Sequence, residues 1–281
     1  MNIQIIQVPY DSGHKGMRTG RGPEHFLQHG VEQALREHGY QVTSARIESK
    51  NSFTTEVGTT IELNRSLAEQ VRSAINDKIF PIVLAGNCNS CLGTIAGIDQ
   101  DQLGILWFDA HGDFNTPETT ISGFFDGMGL AMATGRCWQA LLETIPGFHP
   151  VREANVLHIG VRDLDPAEEK LLNQSEVEVL RPGKETSSFR KSVEAALDKL
   201  SDKVSRVYLH VDLDVLDTGE ALPNHLAVPG GLSVEAVEEI IEMTQKRFEV
   251  RAGAITSFDP SYDKGDEVLN AGIRIMKAFV A

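Results

Sequence analysis

The 281-residue sequence lacks the features of several protein classes. It has only three cysteines, Cys88, Cys91 and Cys137, which are too few and too clustered for the disulfide framework of a small secreted domain. No apolar run approaches the length of a membrane span. Residues 1–9 lack the basic region and cleavage site of a signal peptide and are typical of a first β-strand. These absences predict a cytoplasmic protein that has no membrane partner.

Basic residues are also scarce. The 26 Lys and Arg residues are outnumbered by 40 Asp and Glu residues, which gives a formal net charge of -14. Nucleic acids and anionic membranes favour clustered Lys and Arg, so the sequence predicts neither as the main partner. A hydrophobic content of 41% and a charged content of 23% are typical of a globular enzyme. Most of the acids are expected on the surface, and some are available to bind cations.

No internal repeat, low-complexity tract or Gly/Ser/Pro-rich linker divides the chain, which predicts one domain over residues 1–281. Short apolar runs alternate with segments of helical periodicity, a pattern typical of a mostly parallel sheet in a three-layer α/β/α fold. The predicted strands are 3–8, 80–85, 103–108, 155–160, 207–211 and 254–258, with weaker signals at 40–46 and 177–180. The predicted helices are 24–38, 60–77, 166–173, 189–200 and 233–246.

Acidic residues follow three of the apolar strands. One strand runs into Asp109-Ala-His111-Gly-Asp113, a second into Asp212-Leu-Asp214, and a third into Asp259. The carboxyl ends of strands in an open α/β sheet form the edge where ligands bind. Acids gathered at that edge repel one another unless cations neutralise them.

The spacing of these acids favours a metal site. Side chains two residues apart in a strand point the same way, so Asp212 and Asp214 could face one point, as could Asp109 and its two partners. Oxygen ligands with some imidazole suit Mn²⁺. An acid after a strand can instead cap the next helix or form an Asx turn. The repeated pattern favours the metal interpretation.

The sequence around these acids resembles the arginase (ureohydrolase) family over nearly the whole chain. The resemblance is carried by residues 83–97, 109–113, 115–123, 159–166, 210–214 and 230–232. It implies an arginase-like three-layer α/β/α fold with a mostly parallel sheet of about eight strands. It also implies a hydrolase that cleaves the C–N bond of a linear amidine with two manganese ions per chain.

The resemblance implies a ligand set of six residues: Cys88, Asp109, His111, Asp113, Asp212 and Asp214. Asp109 and Asp212 would bridge the two metals. Cys88 and Asp113 would complete one site, and His111 and Asp214 the other. In this family, a hydroxide that bridges the metals attacks the amidine carbon.

Cys88 stands where the family usually has a histidine. A thiolate is a softer ligand that must lose its proton before it binds, so this site could be weak or take another divalent metal. Two alternatives involve no metal at this position. Cys88 could be a small core residue, or it could form a C-x-x-C redox pair with Cys91.

Further positions concern catalysis and the substrate. Asp126 stands where arginases have a histidine that assists proton transfer, which makes it a candidate catalytic residue. Tyr262 is matched to a glutamate that pairs with the substrate guanidinium. Asn115 and Ser122 match residues that hold an α-carboxylate, although both could merely stabilise a turn. Asp165 matches a residue that faces the α-amino group.

These positions predict a small guanidino or amidino amino acid as the partner. An arginine-like α-amino acid with a less basic guanidine, such as Nω-hydroxyarginine, fits best and would release a urea-type product. Arginase, formiminoglutamase and guanidino-acid hydrolase activities are alternatives, and agmatine is disfavoured because it lacks a carboxylate. A non-catalytic binding protein is another alternative. A homo-oligomer is compatible with the family, although no extended tail follows residues 273–279.

Overall fold

A computed structural model of the chain describes residues 1–53, 55–98, 102–183 and 186–281, without the side chain of Thr186. Eight of its strands form one sheet, and every neighbouring pair in that sheet is parallel. A short antiparallel hairpin, β2–β3, lies apart from it. The strands are β1 (Asn2–Val8), β2 (Tyr10–Asp11), β3 (His14–Lys15), β4 (Gln41–Arg46), β5 (Ile79–Ala85), β6 (Leu103–Phe108), β7 (Val156–Ile159), β8 (Glu178–Leu180), β9 (Arg206–Asp212) and β10 (Glu249–Thr256).

Helices cover both faces of the sheet. They are α1 (Gly22–Gln28), α2 (Val31–Arg36), α3 (Glu56–Asn76), α4 (Cys91–Gly97), α5 (Gly129–Ala133), α6 (Gln139–Leu142), α7 (Pro166–Asn173), α8 (Thr186–Ser201), α9 (Val234–Gln245) and α10 (Glu267–Ala278). The first hydrophobic cluster contains side chains from α1, α2, α8, α9 and α10, and the second contains side chains from α3 to α7. Strands covered on both faces need apolar side chains at successive positions, as in β6, where all six residues are buried.

The predicted three-layer fold is confirmed, and the sheet has eight strands that are all parallel. The last strand was predicted over 254–258, whereas β10 begins at Glu249 and ends at Thr256 and is therefore longer. The helix predicted over 24–38 is wrong as one element, since Gly30 adopts a φ of +88° and separates α1 from α2. Helices α4, α5, α6 and α10 were not predicted. Among the described residues, no helix is long and apolar enough to cross a membrane.

The strand order places the functional segments together. The order is β4-β1-β5-β10-β9-β6-β7-β8, so β5, β10, β9 and β6 are consecutive neighbours. Because the strands are parallel, the segments that follow them meet at one edge of the sheet. These segments carry Cys88, Ser257, Asp214 and Asp109 respectively, while Asp212 is the last residue of β9.

Candidate metal centre

Two groups of potential metal ligands lie at this edge. Cys88, Asp109 and Asp212 form one group, and the ligand atoms in it all lie within 4.8 Å of one another. Asp109, His111 and Asp214 form a second group by the same measure. Asp109 belongs to both groups. The structure therefore brings together five of the six residues in the predicted ligand set and places one carboxylate between two donor clusters.

Cys88 is the first residue of a short 3-10 turn, Cys88–Ser90, that follows β5. Its thiol donates a hydrogen bond to Asp212 Oδ2 at 2.9 Å and lies 3.1 Å from Thr256 Oγ1. The side chain is only 2% exposed. Burial, and then the nearby charge of Asp212, raise the pKa of this thiol well above its ordinary value. Without a metal, Cys88 is a neutral thiol that donates to a carboxylate.

His111 completes the second group. Its Nδ1 lies 3.4 Å from Asp109 Oδ1 and 3.3 Å from Asp214 Oδ2. The backbone also orients both acids, because the N–H of His111 donates to Asp109 and the N–H of Ala110 donates to Asp214. A further backbone bond joins the N–H of Asp214 to Asp212 Oδ1 at 2.9 Å. The imidazole and the carboxylates therefore converge on one small volume.

The charge of this cluster requires compensation. Asp109, Asp113, Asp212 and Asp214 are all buried. Desolvation, and then the charge of Asp214, raise the pKa of Asp109 to about 6. The same two causes, together with the charge of Asp109, raise the pKa of Asp212 well above its ordinary range. A metal ion would supply the positive charge that so many buried carboxylates need.

Asp113 is adjacent to the two groups without being part of either. Its Oδ2 is buried and has no hydrogen-bond partner among the described residues. Burial, followed by the charges of Asp109, Asp126 and Asp212, raises its pKa well above the ordinary value. Asp113 has a φ of +47°, and its carbonyl accepts hydrogen bonds from the N–H groups of Leu130 and Ala131. An unpaired buried carboxylate oxygen beside Cys88 and Asp212 fits a metal ligand, so the residues present fit the implied metals.

Aromatic residues support Asp109 from within the sheet. The indole N–H of Trp107 donates to Asp109 Oδ2 at 3.1 Å. The indole stacks on His210, with ring centroids 3.7 Å apart. His210 Nδ1 lies 2.8 Å from the hydroxyl of Tyr208. Burial lowers the pKa of His210 to about 3, so its ring is neutral where it packs against Trp107. The position of Asp109 is therefore fixed by packing as well as by hydrogen bonds.

A cavity of about 750 Å³ opens onto the cluster. It is lined by most of the predicted site residues: Cys88, His111, Asp113, Asn115, Ser122, Asp126, Asp165, Asp212 and Asp214. Asn115 and Ser122 also make local turn hydrogen bonds, Asn115 Oδ1 with the Thr119 hydroxyl and Ser122 Oγ with the N–H of Phe124. These two residues therefore stabilise a turn and face the cavity at the same time.

Asp165 has a local role as well. It is the N-cap of α7 and forms a capping box with Glu168. Asp163, an exposed acid two residues earlier, lies on the same wall of the cavity. This wall therefore carries two carboxylates that face solvent and the cavity.

Tyr262 is not brought to the cluster. Its side chain is 39% exposed, is not part of the cavity lining, and packs loosely on His225 with ring centroids 6.4 Å apart. Asp259 is also withdrawn, since Oδ1 of this buried acid pairs with Arg21 at 2.6 Å. Asp259, the acid that follows β10, is therefore neutralised by an arginine that lies 238 residues earlier in the chain.

Ser257 and Asn87 are site residues that the sequence patterns missed. The hydroxyl of Ser257, which follows β10, donates to Asp212 Oδ2 and lies 3.7 Å from Cys88 Sγ. Its φ of +65° is unusual for a residue with a side chain. Asn87 also lines the cavity and connects Ser12 with Asp126 through its amide. A single serine or asparagine in a loop carries no sequence signal. The one signal for Asn87 is its position next to the predicted ligand Cys88.

Cys88 and Cys91 are both buried free thiols. Cys91 Sγ lies 3.7 Å from the carbonyl of Gly129, and burial raises its pKa well above the ordinary value. A redox pair needs an accessible thiolate, whereas both thiols here are neutral and shielded from solvent. The surroundings of Cys88 therefore favour metal binding over disulfide chemistry.

Comparisons with known proteins agree with this geometry. The sequence model of the Arginase family matches residues 1–281. The arginase of Bacillus subtilis (strain 168) is 29% identical over 289 aligned residues, which cover 99% of this chain and 97% of that protein. A crystal structure of Bacillus subtilis arginase gives a TM-score of 0.89 at 28% identity and covers 100% of this chain and 99% of that one.

A second solved structure shares the fold at lower identity. The Entamoeba histolytica arginase in complex with L-ornithine has a TM-score of 0.87 at 23% identity, over 100% of this chain and 99% of that one. Members of this family are hydrolases that act on C–N bonds of guanidino or amidino groups and usually bind two manganese ions. With the match extending from the first residue to the last, the chain belongs to the arginase family.

Proposed function

We propose that this chain is a manganese-dependent ureohydrolase that cleaves the guanidine C–N bond of an arginine-like α-amino acid, with Nω-hydroxyarginine as the candidate substrate. The observation that carries the proposal is one cavity that joins the two donor groups to Asn115, Ser122 and Asp165. The amidine carbon would lie at the donor groups. The amino-acid end would lie at the wall of the cavity that carries Asn115, Ser122, Asp163 and Asp165, here called the outer wall. The products would be ornithine and a urea-type compound.

The outer wall offers complementary groups for an α-amino acid. The amide of Asn115 and the hydroxyl of Ser122 can donate to a carboxylate. Asp163 and Asp165 can pair with an α-ammonium group. The related Entamoeba arginase was solved with L-ornithine, which carries the same two groups. Agmatine has no carboxylate for Asn115 and Ser122 and is therefore a poorer candidate.

The wall next to the donor groups, here called the inner wall, offers few free carboxylates that could pair with a cationic guanidinium. Asp11 lines the cavity, but both of its oxygens pair with Arg18, at 2.8 and 2.9 Å. Glu56 also lines the cavity, and burial, followed by the charge of Asp11, raises its pKa. The remaining inner carboxylates are metal donors, lie beside them as Asp113 does, or accept hydrogen bonds from backbone groups as Asp126 and Glu168 do. A less basic guanidine, such as an N-hydroxylated one, fits this wall better than the guanidinium of arginine.

The donor groups would hold two metals per chain, with Asp109 between them. Cys88 and Asp212, with Asp113 adjacent, would hold one ion, and His111 and Asp214 the other. When bound, two Mn²⁺ ions would lower the pKa of a shared water and supply the nucleophile. The thiolate makes the Cys88 site the weaker one for manganese or a site for another divalent metal. The other residues that line the cavity would orient the substrate over the two metals and exclude bulk water.

Two broader features are part of the proposal. Three free, buried cysteines support a reducing compartment such as the cytoplasm. Both hydrophobic clusters pack on one continuous sheet, which supports a single folding domain over residues 1–281. The proposed binding partner is the substrate itself, a small amino acid that diffuses into the cavity.

The test is a substrate panel assayed with purified, manganese-loaded protein. The panel contains Nω-hydroxyarginine, arginine, agmatine, formiminoglutamate and guanidino acids, and hydroxyurea and urea are measured separately. We expect kcat/KM for Nω-hydroxyarginine to exceed that for arginine by at least ~100-fold. An Asp109→Asn variant purified in parallel controls for contaminating arginase. Equal or faster turnover of arginine would overturn the substrate assignment, and tight binding without hydrolysis would indicate a binding protein.

A further inference from the structure

We propose that Asp126 is a positioning residue that holds the turn carrying Cys88, and thereby sets the metal affinity of the Cys88 site. This inference rests on the proposed metal centre and replaces the proton-transfer role expected from the position of Asp126 in the sequence. Asp126 belongs to neither donor group, and its carboxylate lies against the segment that follows β5.

The carboxylate of Asp126 accepts hydrogen bonds from three consecutive residues. Its Oδ2 accepts from Asn87 Nδ2 at 2.8 Å and from the backbone N–H of Cys88 at 3.1 Å. Its Oδ1 accepts from the backbone N–H of Asn89 at 2.8 Å. The side chain is buried. One carboxylate thus satisfies the N–H groups at the start of the turn whose first side chain is the thiol ligand.

Asn87 extends this network to the N-terminal loop. Its Oδ1 accepts from the backbone N–H of Ser12 at 2.8 Å, while its Nδ2 donates to Asp126. Gly86, the preceding residue, packs so closely on this loop that a Cβ there would lie 2.2 Å from the carbonyl of Tyr10. The loop therefore confines the turn on one side, and Asp126 holds it on the other.

The position of this turn determines where Cys88 Sγ lies. The thiol must stay near Asp212 to share a metal with it, and metal–sulfur bonds tolerate only small changes in length. Removing the carboxylate would leave the buried N–H groups of Cys88 and Asn89 without an acceptor, so the turn would have to move to reach other partners. We therefore expect the Cys88 site to lose affinity before the His111 site does.

The same hydrogen bonds argue against a proton shuttle. A group that transfers protons to a substrate needs a free oxygen within reach of the reacting atom. Oδ2 of Asp126 accepts two of these bonds and Oδ1 accepts one, so the carboxylate is tied to the turn and only Oδ1 keeps a lone pair for another donor. Asp126 faces the cavity, so the two roles must be distinguished by measurement.

The experiment compares manganese binding by the full-length Asp126→Asn variant and by the wild-type protein. An asparagine has the same shape but offers one acceptor oxygen, and its NH₂ group would face N–H donors. We expect the weaker manganese site to lose at least ~10-fold in affinity, as is usual when a residue that supports a ligand is removed. Calorimetry and metal analysis measure this without any substrate. Asp165→Asn, which alters a cavity carboxyl outside this network and keeps a side chain that can cap α7, is the control and should leave manganese affinity unchanged.

Thiol labelling gives a second readout on the metal-free protein. Mass mapping of alkylated Cys88 should show labelling ~10-fold faster in Asp126→Asn than in the wild type, because local opening exposes the turn more often. With saturating manganese, the variant should recover activity and keep the pH limbs of the wild-type rate profile. Asn87→Ala, which removes one of the three hydrogen bonds to Asp126 together with the bond from Ser12, should show the same changes to a smaller extent and serves if Asp126→Asn does not fold.

Unchanged manganese affinity and unchanged Cys88 labelling in both variants would overturn the inference. Loss of kcat and of one pH limb in a fully loaded Asp126→Asn protein would assign proton transfer instead. The binding and labelling readouts need no turnover. They would therefore decide the role of Asp126 even if every compound in the substrate panel proved inert and the proposed function failed.

Discussion

The thiol of Cys88 donates a hydrogen bond to Oδ2 of Asp212, with the sulfur 2.9 Å from the oxygen. A metal held by both side chains would replace the proton in this bond, and burial holds the pKa of the thiol high. A metal that binds here must displace the proton, and its affinity falls accordingly with decreasing pH. Cys88 is therefore the residue at which the proposed metal site can be tested most directly.

Cys88→His is expected to raise manganese affinity at neutral pH by ~10-fold, because a neutral imidazole loses no proton when it binds and manganese prefers harder ligands. Cys88→Ser is expected to lower it, since a hydroxyl is a poor ligand. Titration calorimetry and metal analysis measure both. Cys91→Ser, which changes the neighbouring buried thiol outside the donor groups, is the matched control. Two tightly bound manganese ions in Cys88→Ser would contradict a ligand role for Cys88.

The pH dependence of stability should have opposite signs with and without metal. Desolvation, then the charge of Asp214, raise the pKa of Asp109 from 3.8 to about 6. In the metal-free protein, the stability from this carboxyl is fully present below pH 3.8 and is lost as the pH rises through 6. Manganese binds the ionised form, so the stabilisation that it provides should increase over the same window.

Calorimetric Tm values of the wild type and Asp109→Asn, each with chelator or manganese, check this prediction. The difference between the two proteins cancels the groups outside the cluster and reports Asp109 together with the acids whose pKa its charge raises, Asp113 and Asp212. We expect the metal-free wild type to lose stability relative to Asp109→Asn as the pH rises, and manganese to stabilise the wild type more strongly. A metal-free wild type that gains stability relative to the variant across this window would refute the prediction.

Trp107→Phe should weaken manganese binding in a protein that still folds, with some loss of stability because the smaller ring leaves space at this buried position. Phenylalanine keeps an aromatic face for His210 but lacks the N–H that donates to Asp109 Oδ2. Removal of a hydrogen bond to a metal ligand typically lowers affinity 10- to 100-fold, and about 10-fold is expected here. The control is Trp138→Phe, because the indole N–H of Trp138 donates to the sulfur of Met128 and not to a metal donor. Equal affinities in the two variants would show that the indole does not orient Asp109.

Arg162→Lys should destabilise the segment that carries Asp214. The five N–H groups of the guanidinium lie within hydrogen-bond distance of six backbone carbonyls, so that Nη2 shares its two hydrogens among three of them; the carbonyls are those of Gly160, Asp214, Val215, Leu216, Val228 and Pro229. A lysine ammonium has three donors and cannot reproduce this planar arrangement. We expect the free energy of unfolding in urea to fall by about 2–3 kcal/mol. The exposed Arg181→Lys control should change it by less than ~1 kcal/mol. A comparable loss in both variants would mean that the carbonyl contacts contribute little.

The sequence predicted the fold correctly, because the fold depends on short-range patterns, and the same kind of pattern indicated the candidate donor residues. Apolar runs of strand length identified the eight strands, and acids placed directly after them identified Asp109 and Asp212. The helix predicted over 24–38 failed at Gly30, whose left-handed backbone overrides an otherwise continuous amphipathic pattern. Helix α4 was missed because all of its residues are buried, so it shows no amphipathic period.

The sequence by itself determined the layered fold, the family and the candidate carboxylate donors, since strand periodicity and the acid spacing are local properties of the chain. Only the tertiary structure decided which acids remain available for metal. Asp259 is neutralised by Arg21, Asp126 is engaged by the Cys88 turn, and Asp113 has an unpaired oxygen. These outcomes depend on contacts between segments far apart in sequence, because burial and charge pairing, rather than residue type, determine how each carboxylate is compensated.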